Sequence, residues 1–192
     1  MSIQFDVQII DDPSGLESVK ALAQDYSEHA EKLVQECTDE KVRKIFADNS
    51  STMKNIYEAI DLKLDPLMSE GLTKHKIVVS YDSQHIVQAI AIIQPEYEYL
   101  PENENNIIKC SELCFLATAY WNIDCPNTKD ERKVKGAGTS IVNFCRQLGK
   151  QFGSGGKIFL EAYTSSIEFY QEKLHFQIVG EKQLGITPML LS

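Results

Sequence analysis

The chain has 192 residues, of which 43% are apolar and 24% are charged, and its formal net charge at pH 7 is -9. This length suits one domain that buries about two-thirds of its unfolded surface. The acidic balance argues against a general nucleic-acid-binding protein, which usually carries a basic face. The sequence begins without a basic and apolar leader, and no apolar run is long enough to span a bilayer. We therefore expect a cytoplasmic protein that does not bind membranes.

The first half of the chain predicts one strand, then helices and a hairpin. Apolar and polar residues alternate over 3–9, as in a half-buried strand, and helical spacing follows over 16–34. Two further helical stretches are separated at 49–51 by Asn-Ser-Ser, which is typical of a helix break and a new N-cap. The apolar runs 76–81 and 85–94 flank a short polar turn and predict an antiparallel hairpin.

The second half of the chain alternates strands and helices. The acidic segment PEYEYLPENENN at 95–106 predicts a loop, and IIKCSELCFLATAYW at 107–121 is the longest predicted strand. Helical spacing resumes over 141–148. This order predicts a single α/β domain in which a central mixed, mostly antiparallel sheet is flanked by helices, with one strand-helix-strand crossover. The last elements are a strand, a short helix and two strands, over 157–163, 165–174, 176–180 and 186–192.

The cysteines and histidines do not suggest a metal site. The five cysteines form no CxxC pair, and the four histidines are scattered. We expect reduced thiols and no bound metal from such spacings. Cys114 and Cys145 lie in or beside apolar runs and are predicted to be core residues.

The segment KVKGAGTSIVNFC at 133–145 places two glycines between lysines and an apolar helix. A P-loop is excluded because no lysine follows Gly138, and a dinucleotide fingerprint fails because Ile141 stands where its third glycine belongs. A tight turn into a helix and an anion site remain as interpretations. Cations just before a helix are otherwise unfavourable, so they favour the anion site. They are Lys129, Arg132, Lys133 and Lys135.

KVKGAGTSIVNF resembles motif A of the GCN5-related N-acetyltransferases (GNAT), a family that binds the pyrophosphate of acetyl-coenzyme A through main-chain N–H groups at a helix start. Lys133 stands at the Arg or Gln position of that motif. The resemblance extends over residues 75–192 through SELCFLATA, KIFLEAY and the closing strands. It implies one GNAT-like domain over 1–192, with acceptor-side helices in 1–74 and an acetyl-CoA-binding core in 75–192. The implied cofactor contacts are Leu116, Ala117 and Thr118 on the strand, and Lys133, Val134, Lys135, Gly136, Ala137, Gly138 and Thr139 in the loop.

The resemblance also implies direct transfer of an acetyl group from acetyl-CoA to a primary amine, with a main-chain N–H near Leu116 as the oxyanion donor. Glu112 interrupts an apolar strand where the family has its general base. A carboxylate there is costly unless it is paired, functional or on a solvated face. Tyr170 stands near the general acid of the family. However, Tyr170 and Phe176 are one residue further apart than usual, and His175 replaces a glycine.

These departures keep alternatives open. The altered Tyr170 motif is compatible with a module of the same fold that binds coenzyme A without turnover, or with a tyrosine that is only part of the core. FYQEKLHF also resembles a helix end of glyoxalase-type metal enzymes, although no paired repeat of His and Glu ligands is visible. Residues 122–132 make the connection to motif A longer than usual, and long loops are often functional.

The acidic segment 95–106 is the predicted acceptor side. Carboxylates interleaved with aromatic rings suit a cation such as a lysine side chain, a polyamine or an aminoglycoside. The predicted partner is therefore an amine-bearing small molecule or protein, and not a nucleic acid. The residues concerned are Glu96, Glu98, Glu102 and Glu104 with Tyr97 and Tyr99.

Overall fold

The computed structural model describes residues 4–101, 106–123 and 133–192. The strands in these ranges are β1 (Asp6–Ile10), β2 (Lys76–Tyr81), β3 (Val87–Tyr99), β4 (Ile108–Thr118), β5 (Ile158–Tyr163), β6 (Gln177–Ile178) and β7 (Ile186–Leu191). The α-helices are α1 (Pro13–Glu36), α2 (Glu40–Leu64) and α3 (Ala137–Gln151). None of the helices in the described ranges is both long and apolar enough to cross a bilayer.

The strands form one seven-stranded mixed sheet in the order β1-β2-β3-β4-β5-β7-β6. β1 pairs antiparallel with β2, and β7 pairs antiparallel with both β5 and β6. β4 and β5 run parallel, with Glu112 opposite Phe159, and the chain between them passes through α3. A parallel pair needs such a crossover because a tight turn cannot join its strands. The predicted fold class, a mixed and mostly antiparallel sheet flanked by helices, is confirmed.

Helix α2 is continuous, so the predicted break at 49–51 is wrong. The polar side chains at that point find hydrogen-bond partners without ending the helix. The Ser50 hydroxyl lies 3.0 Å from the Ser27 hydroxyl on α1, and the Thr52 hydroxyl donates to the Asp48 carbonyl at 2.9 Å. Ser and Thr favour helix ends because their hydroxyls can bond to nearby main-chain groups and compete with the helix. Here the hydroxyls bond to a side chain of α1 and to a carbonyl of the preceding turn, so the helix continues.

Strand β3 continues through residues 95–99, where the sequence predicts a loop, so that part of the prediction is wrong. Glutamates and tyrosines alternate there with the two-residue period of a strand, which points the two kinds of side chain in opposite directions. The glutamates are exposed and the tyrosines are half-buried. The rest of the predicted loop includes Glu102 and Glu104, which lie outside the described residues.

The chain divides into two compact units. The first comes from Met1–Ile92 and Phe115–Ile141, and in it α1 lies against α2. The hydroxyl of Tyr26 on α1 donates to the Val87 carbonyl of β3 at 2.9 Å, which ties the helix pair to the sheet. A 3-10 turn, Tyr120–Asn122, follows the end of β4. One core cluster of this unit consists of Ala30, Cys37, Phe46 and Ile123.

The second unit comes from Ile93–Cys114 and Val142–Ser192, and the two faces of its strands differ. Side chains on one face are buried, among them Leu113, Leu160 and Met189. The other face carries a smaller apolar cluster, with Tyr97 and Tyr99 at its side, and an open cleft. This cluster is formed by Cys110, Phe159 and Leu190.

The predicted division of the chain into an acceptor side (1–74) and an acetyl-CoA-binding core (75–192) concerns function, and it stays a prediction.

Candidate functional site

The segment 133–139, which joins the loop before α3 to the first three residues of the helix and which we call the α3 loop, contains a backbone conformation that favours glycine. Gly136 has a φ of 103°, in the left-handed region where a residue with a Cβ is strained. The first hydrogen bond within α3 runs from the Ser140 N–H to the Gly136 carbonyl at 2.9 Å. The N–H groups of Ala137, Gly138 and Thr139 therefore have no acceptor within the helix, and they form the positive end of its dipole.

Two hydrogen bonds hold this α3 loop. The Val134 N–H donates to the Asn122 Oδ1 at 2.8 Å, and the Ser140 hydroxyl lies 2.9 Å from the Ser80 hydroxyl on β2. The loop is therefore anchored on both sides of Gly136. Of the predicted cations, Lys133 is half-buried and Lys135 exposed, whereas Lys129 and Arg132 lie outside the described residues.

The predicted strand contacts lie at the end of β4, where a side chain of α2 bonds to the main chain. The Thr118 N–H donates to the Asn49 Oδ1 at 3.2 Å, and the Thr118 carbonyl accepts from the Asn49 Nδ2 at 3.0 Å. The amide of Asn49 therefore occupies the position of a neighbouring strand at Thr118.

The direction of the remaining main-chain groups follows from strand geometry. The Ala119 N–H donates to the Gln88 carbonyl on β3 at 2.9 Å. Main-chain groups of successive residues in a strand face opposite edges. Thr118 therefore faces away from β3, towards Asn49. Ser111 also faces away from β3, because its N–H donates to the Lys157 carbonyl at 2.9 Å, so the alternation is interrupted between these two residues. Leu116 and Ala117 lie within that interval, and their contacts with a cofactor stay a prediction.

Glu112 lines an open cleft of about 700 Å³ in the second unit, which we call the acidic cleft. Among the described residues that line it there is no lysine, arginine or histidine. None of its carboxylates forms a salt bridge with a described residue. Its carboxylates are those of Glu98, Glu112, Glu161 and Glu181, and its aromatic rings are those of Tyr97, Tyr99 and Phe159.

The surroundings of Glu112 change its acidity. Burial raises the pKa of Glu112 above its ordinary value, and repulsion from Glu161 raises it further, while a hydrogen bond from the Cys114 thiol lowers it in part. The pKa of Tyr97 is also raised, first by burial and then by the charge of Glu112. A raised pKa makes a carboxylate a stronger base, which suits the removal of a proton near neutral pH.

Tyr170 lies in a helical segment that contains a π turn, Phe169–Lys173. A π turn holds one residue more than an α turn, so it absorbs the extra residue between Tyr170 and Phe176. His175 has a φ of 62°, a conformation that glycine adopts without strain. The Phe176 N–H donates to the Tyr170 carbonyl at 3.0 Å, which closes the turn. Both departures from the family spacing therefore have a structural explanation.

The phenol ring of Tyr170 is 8% exposed and meets the rings of Phe169 and Phe176 edge to face. Burial raises the pKa of Tyr170, and the neighbouring Cys145 thiol raises it further. The hydroxyl is therefore neutral and keeps its proton at physiological pH, the state that a general acid requires.

The thiols of Cys110, Cys114 and Cys145 are unsuited to nucleophilic catalysis. Burial is the largest cause that raises the pKa of Cys110 to about 11 and that of Cys145 to about 12. Burial and the charge of Glu112 also raise the pKa of Cys114. The thiolate, which is the nucleophilic form, is scarce at neutral pH for such groups. Across residues 4–101, 106–123 and 133–192, no group of three His, Cys, Asp or Glu side chains is placed to hold a metal ion.

Sequence reasoning overlooked several residues of the site. The predicted cofactor contacts all belong to the first unit, and Glu112 and Tyr170 belong to the second. Glu161 is not among the predicted site residues, because its place beside Glu112 depends on sheet register. Asn49 was interpreted as a helix break. Gln88 carried a usable signal, a polar side chain within the apolar run HIVQAIAIIQ.

No protein-family model matches the sequence, and a comparison with the curated proteins finds no match. Solved structures match nearly the whole chain. PaiA N-acetyltransferase from Thermoplasma acidophilum, in complex with coenzyme A, is 12% identical with a TM-score of 0.52, over 97% of this chain and 98% of its own. A GNAT-family acetyltransferase from Listeria monocytogenes is 15% identical with a TM-score of 0.54, over 97% and 94%.

A third matching structure is AtaT complexed with acetyl-methionyl-tRNAfMet, which is 11% identical with a TM-score of 0.50, over 96% of this chain and 94% of its own. At these identities a structural likeness establishes the fold and not the activity. The chain therefore has the fold of the GCN5-related N-acetyltransferases, as its motif A resemblance predicts.

Proposed function

We propose that the protein is an acetyl-CoA-dependent N-acetyltransferase that transfers the acetyl group directly to a primary amine. The observation that carries this proposal is the position of Glu112, a half-buried carboxylate of raised pKa that opens onto the acidic cleft in a protein of this fold. An ammonium group must lose a proton before it can attack a thioester, and such a carboxylate can accept it.

The α3 loop is the proposed site for the pyrophosphate of acetyl-CoA. The N–H groups at the start of α3 and the helix dipole attract an anion, and the left-handed backbone of Gly136 lets the loop approach it closely. The pantetheine arm would run along the end of β4. Because Asn49 occupies the Thr118 main chain, Leu116 is the proposed main-chain partner of the arm, or of the oxyanion.

The proposed reaction is one displacement. Glu112 accepts a proton from the ammonium, the nitrogen attacks the thioester carbonyl, and the Leu116 N–H donates to the oxyanion. When the carbon–sulfur bond breaks, Tyr170 gives its proton to the thiolate, and the amide product and coenzyme A leave. The raised pKa values of Cys110, Cys114 and Cys145 support direct transfer, because an acetyl-cysteine intermediate on one of them would need a thiolate.

The proposed acceptor is a cationic amine, bound in the acidic cleft. Carboxylates and aromatic rings attract an ammonium group, and the described lining of the cleft contains no lysine, arginine or histidine that would compete with it. AtaT was solved with an acylated tRNA, but this chain has a net charge of -9, so the absence of a nucleic-acid partner stays our prediction. Of the predicted acceptor glutamates, Glu98 lines the cleft and is kept in the proposed set, whereas Glu96 does not line it and is left out.

A second candidate function is binding of coenzyme A without turnover. The observation that favours it is the burial of Tyr170 between two phenylalanine rings, which limits the access of its hydroxyl to a ligand. In that case the α3 loop would bind the coenzyme and Tyr170 would serve only the core.

The test combines coenzyme A titration by calorimetry with thiol release from acetyl-CoA in the presence of amines. The panel contains a lysine peptide, a free peptide N-terminus, a polyamine and an aminoglycoside. Amine-dependent thiol release, lowered about a hundredfold or more in Tyr170→Phe with coenzyme A affinity retained, is the expected result. Binding without release by any amine would favour the second candidate, and absence of binding would reject both.

A further inference from the structure

A fully buried glutamine links the turn after β2 to the segment that follows β4. Gln88 on β3 is 0% exposed, and its Nε2 donates to the Asp82 Oδ2 at 2.7 Å. Its Oε1 accepts two hydrogen bonds, from the Trp121 Nε1 at 3.0 Å and from the Asn122 Nδ2 at 2.9 Å. A buried amide costs little when it is bonded in this way, and its geometry is then fixed.

Asn122 extends this chain of hydrogen bonds to the α3 loop. Its Nδ2 also approaches the Gln88 carbonyl at 3.2 Å, and its Oδ1 accepts from the Val134 N–H at 2.8 Å. Val134 stands two residues before Gly136, whose carbonyl receives the first hydrogen bond of α3. We call the five residues Asp82, Gln88, Trp121, Asn122 and Val134 the amide network.

We propose that Gln88 and Asn122 are positioning residues that set the α3 loop in its ligand-binding conformation, and that Trp121 reports the state of that loop. The identity of the ligand, coenzyme A, rests on the proposed function. The hydrogen bond that the Val134 N–H donates to Asn122 fixes the peptide plane between residues 133 and 134, and so limits the directions open to the main chain that leads to Gly136. Gln88 in turn holds Asn122, because the Asn122 Nδ2 donates both to the main-chain carbonyl of Gln88 and to its side-chain Oε1.

Trp121 gives this proposal a spectroscopic signal. It is the only tryptophan of the chain, and it shares the Gln88 Oε1 with Asn122. A ligand that moves the Val134 main chain changes the Asn122 bond, and through it the surroundings of the indole N–H. Coenzyme A binding should therefore shift the emission of the wild-type protein.

The first experiment compares Asn122→Ala with Tyr26→Phe. Asn122→Ala removes the acceptor of the Val134 N–H and should weaken coenzyme A binding about tenfold, raising KM for acetyl-CoA more than it lowers kcat. Tyr26→Phe is the matched control. It removes a buried hydrogen bond to Val87, the neighbour of Gln88, and its ring also contacts Trp121, but it leaves both partners of the Asn122–Val134 hydrogen bond unchanged. The control should lose stability and keep its affinity, and equal losses of affinity would overturn the proposal.

The second experiment introduces a pH dependence with Gln88→Glu. The titratable groups facing that position are Asp82, through its direct bond, and Tyr26, through the ring of Trp121. The carboxylate of Asp82 raises the pKa of the introduced carboxyl above the ordinary glutamate value of about 4.3. At low pH a shared proton keeps the bond to Asp82, whereas at higher pH the two charges repel each other. The affinity for coenzyme A, relative to wild type, should fall as pH rises, and Trp121 emission should change over the same range.

Hydrogen exchange separates this proposal from the proposed function. In the protein without ligand, Asn122→Ala should speed exchange of the Val134 amide by about tenfold, whatever ligand the loop binds. If wild type binds no coenzyme A, the proposed function fails, and the exchange result still decides the role of the network. Unchanged Val134 exchange in Asn122→Ala, or a Gln88→Glu affinity that does not vary with pH relative to wild type, would overturn the inference.

Discussion

The amide network and the acidic cleft each contain a polar side chain within an apolar strand, Gln88 in the network and Glu112 in the cleft, and the surroundings of these two side chains differ. In the network, Gln88 is completely buried and its side chain makes three hydrogen bonds. In the cleft, four carboxylates stand without a salt bridge to any described residue, and repulsion from Glu161 raises the pKa of Glu112.

This difference separates two roles of polar residues. Bonded neutral amides cost little to bury and fix geometry, whereas unpaired carboxylates close to one another oppose folding. Glu112, whose pKa is raised, therefore destabilises the folded protein at neutral pH, and an ammonium ligand in the cleft would offset that cost. The predictions below alter one side of this contrast at a time.

The largest expected effect comes from Glu112→Gln. This change keeps the shape of the side chain but removes its basicity, so kcat for amine-dependent thiol release should fall about 10²- to 10⁴-fold. The affinity for coenzyme A should stay unchanged, because the proposed donor site is the α3 loop. Glu96→Gln is the control, since Glu96 is an exposed glutamate of β3 outside the cleft lining and should keep full activity. Equal losses of kcat in the two variants would show that overall charge matters and not the site.

In the α3 loop, which the amide network holds, Gly136→Ala should weaken coenzyme A binding about tenfold or more. An added Cβ meets only Phe5, at an ordinary 3.4 Å, but the φ of 103° strains any side chain by about 1–3 kcal/mol, so the loop should rearrange. Gly153→Ala is the control. Gly153 has a φ of 84° with nothing near its Cβ position and lies beyond the end of α3. Calorimetry should find lower stability in both variants and lower affinity in Gly136→Ala alone.

Glu161→Gln should shift the pH profile of the reaction. Its charge raises the pKa of Glu112, so its removal lowers that pKa and moves the acid limb of kcat/KM to lower pH. The limb reports the free enzyme's essential base. An acid limb that stays in place would mean that Glu112 is not the group whose ionisation controls the rate.

The smallest expected effect is on stability. A carboxyl whose pKa is raised by folding binds its proton more tightly in the folded state, so stability falls as pH rises from the unfolded pKa through the folded pKa. Glu112 therefore destabilises the protein at neutral pH, and Glu112→Gln should melt at a slightly higher temperature at pH 7. The difference should vanish below the ordinary glutamate pKa of about 4.3, where both states are protonated. A lower melting temperature at pH 7 would mean that the carboxylate is paired.

Much of the fold could be predicted because its elements carry strong periodicity. The hairpin of β2 and β3, the crossover through α3 and the closing strands all follow from apolar spacing and turn residues. The two errors, at 49–51 and 95–99, fell where a partner distant in sequence outweighs the local signal. Local propensity is a weak guide at such positions, because tertiary context overrides it.

The residues of the candidate site also fall into two groups, those with a local sequence signal and those whose role depends on distant partners. Glu112 could be recognised because an acid within an apolar strand is costly, and Gln88 offered the same signal in its own strand. Glu161 and Asn49 could not be recognised, because their roles depend on which residues stand opposite them once the sheet has formed. Sequence spacing cannot supply that register.

The π turn at Phe169–Lys173 has a consequence for comparing this chain with other proteins of the fold. The π turn accommodates the one extra residue between Tyr170 and Phe176, so the strands before and after it need not shift. An alignment that preserves the usual spacing would shift either Tyr170 or Phe176 by one position, whereas a superposition of the folds keeps both. Removal of one residue from the bulge, together with glycine at position 175, should restore an ordinary helical turn. One insertion or one deletion at this position would therefore change the local turn and leave the rest of the fold in place.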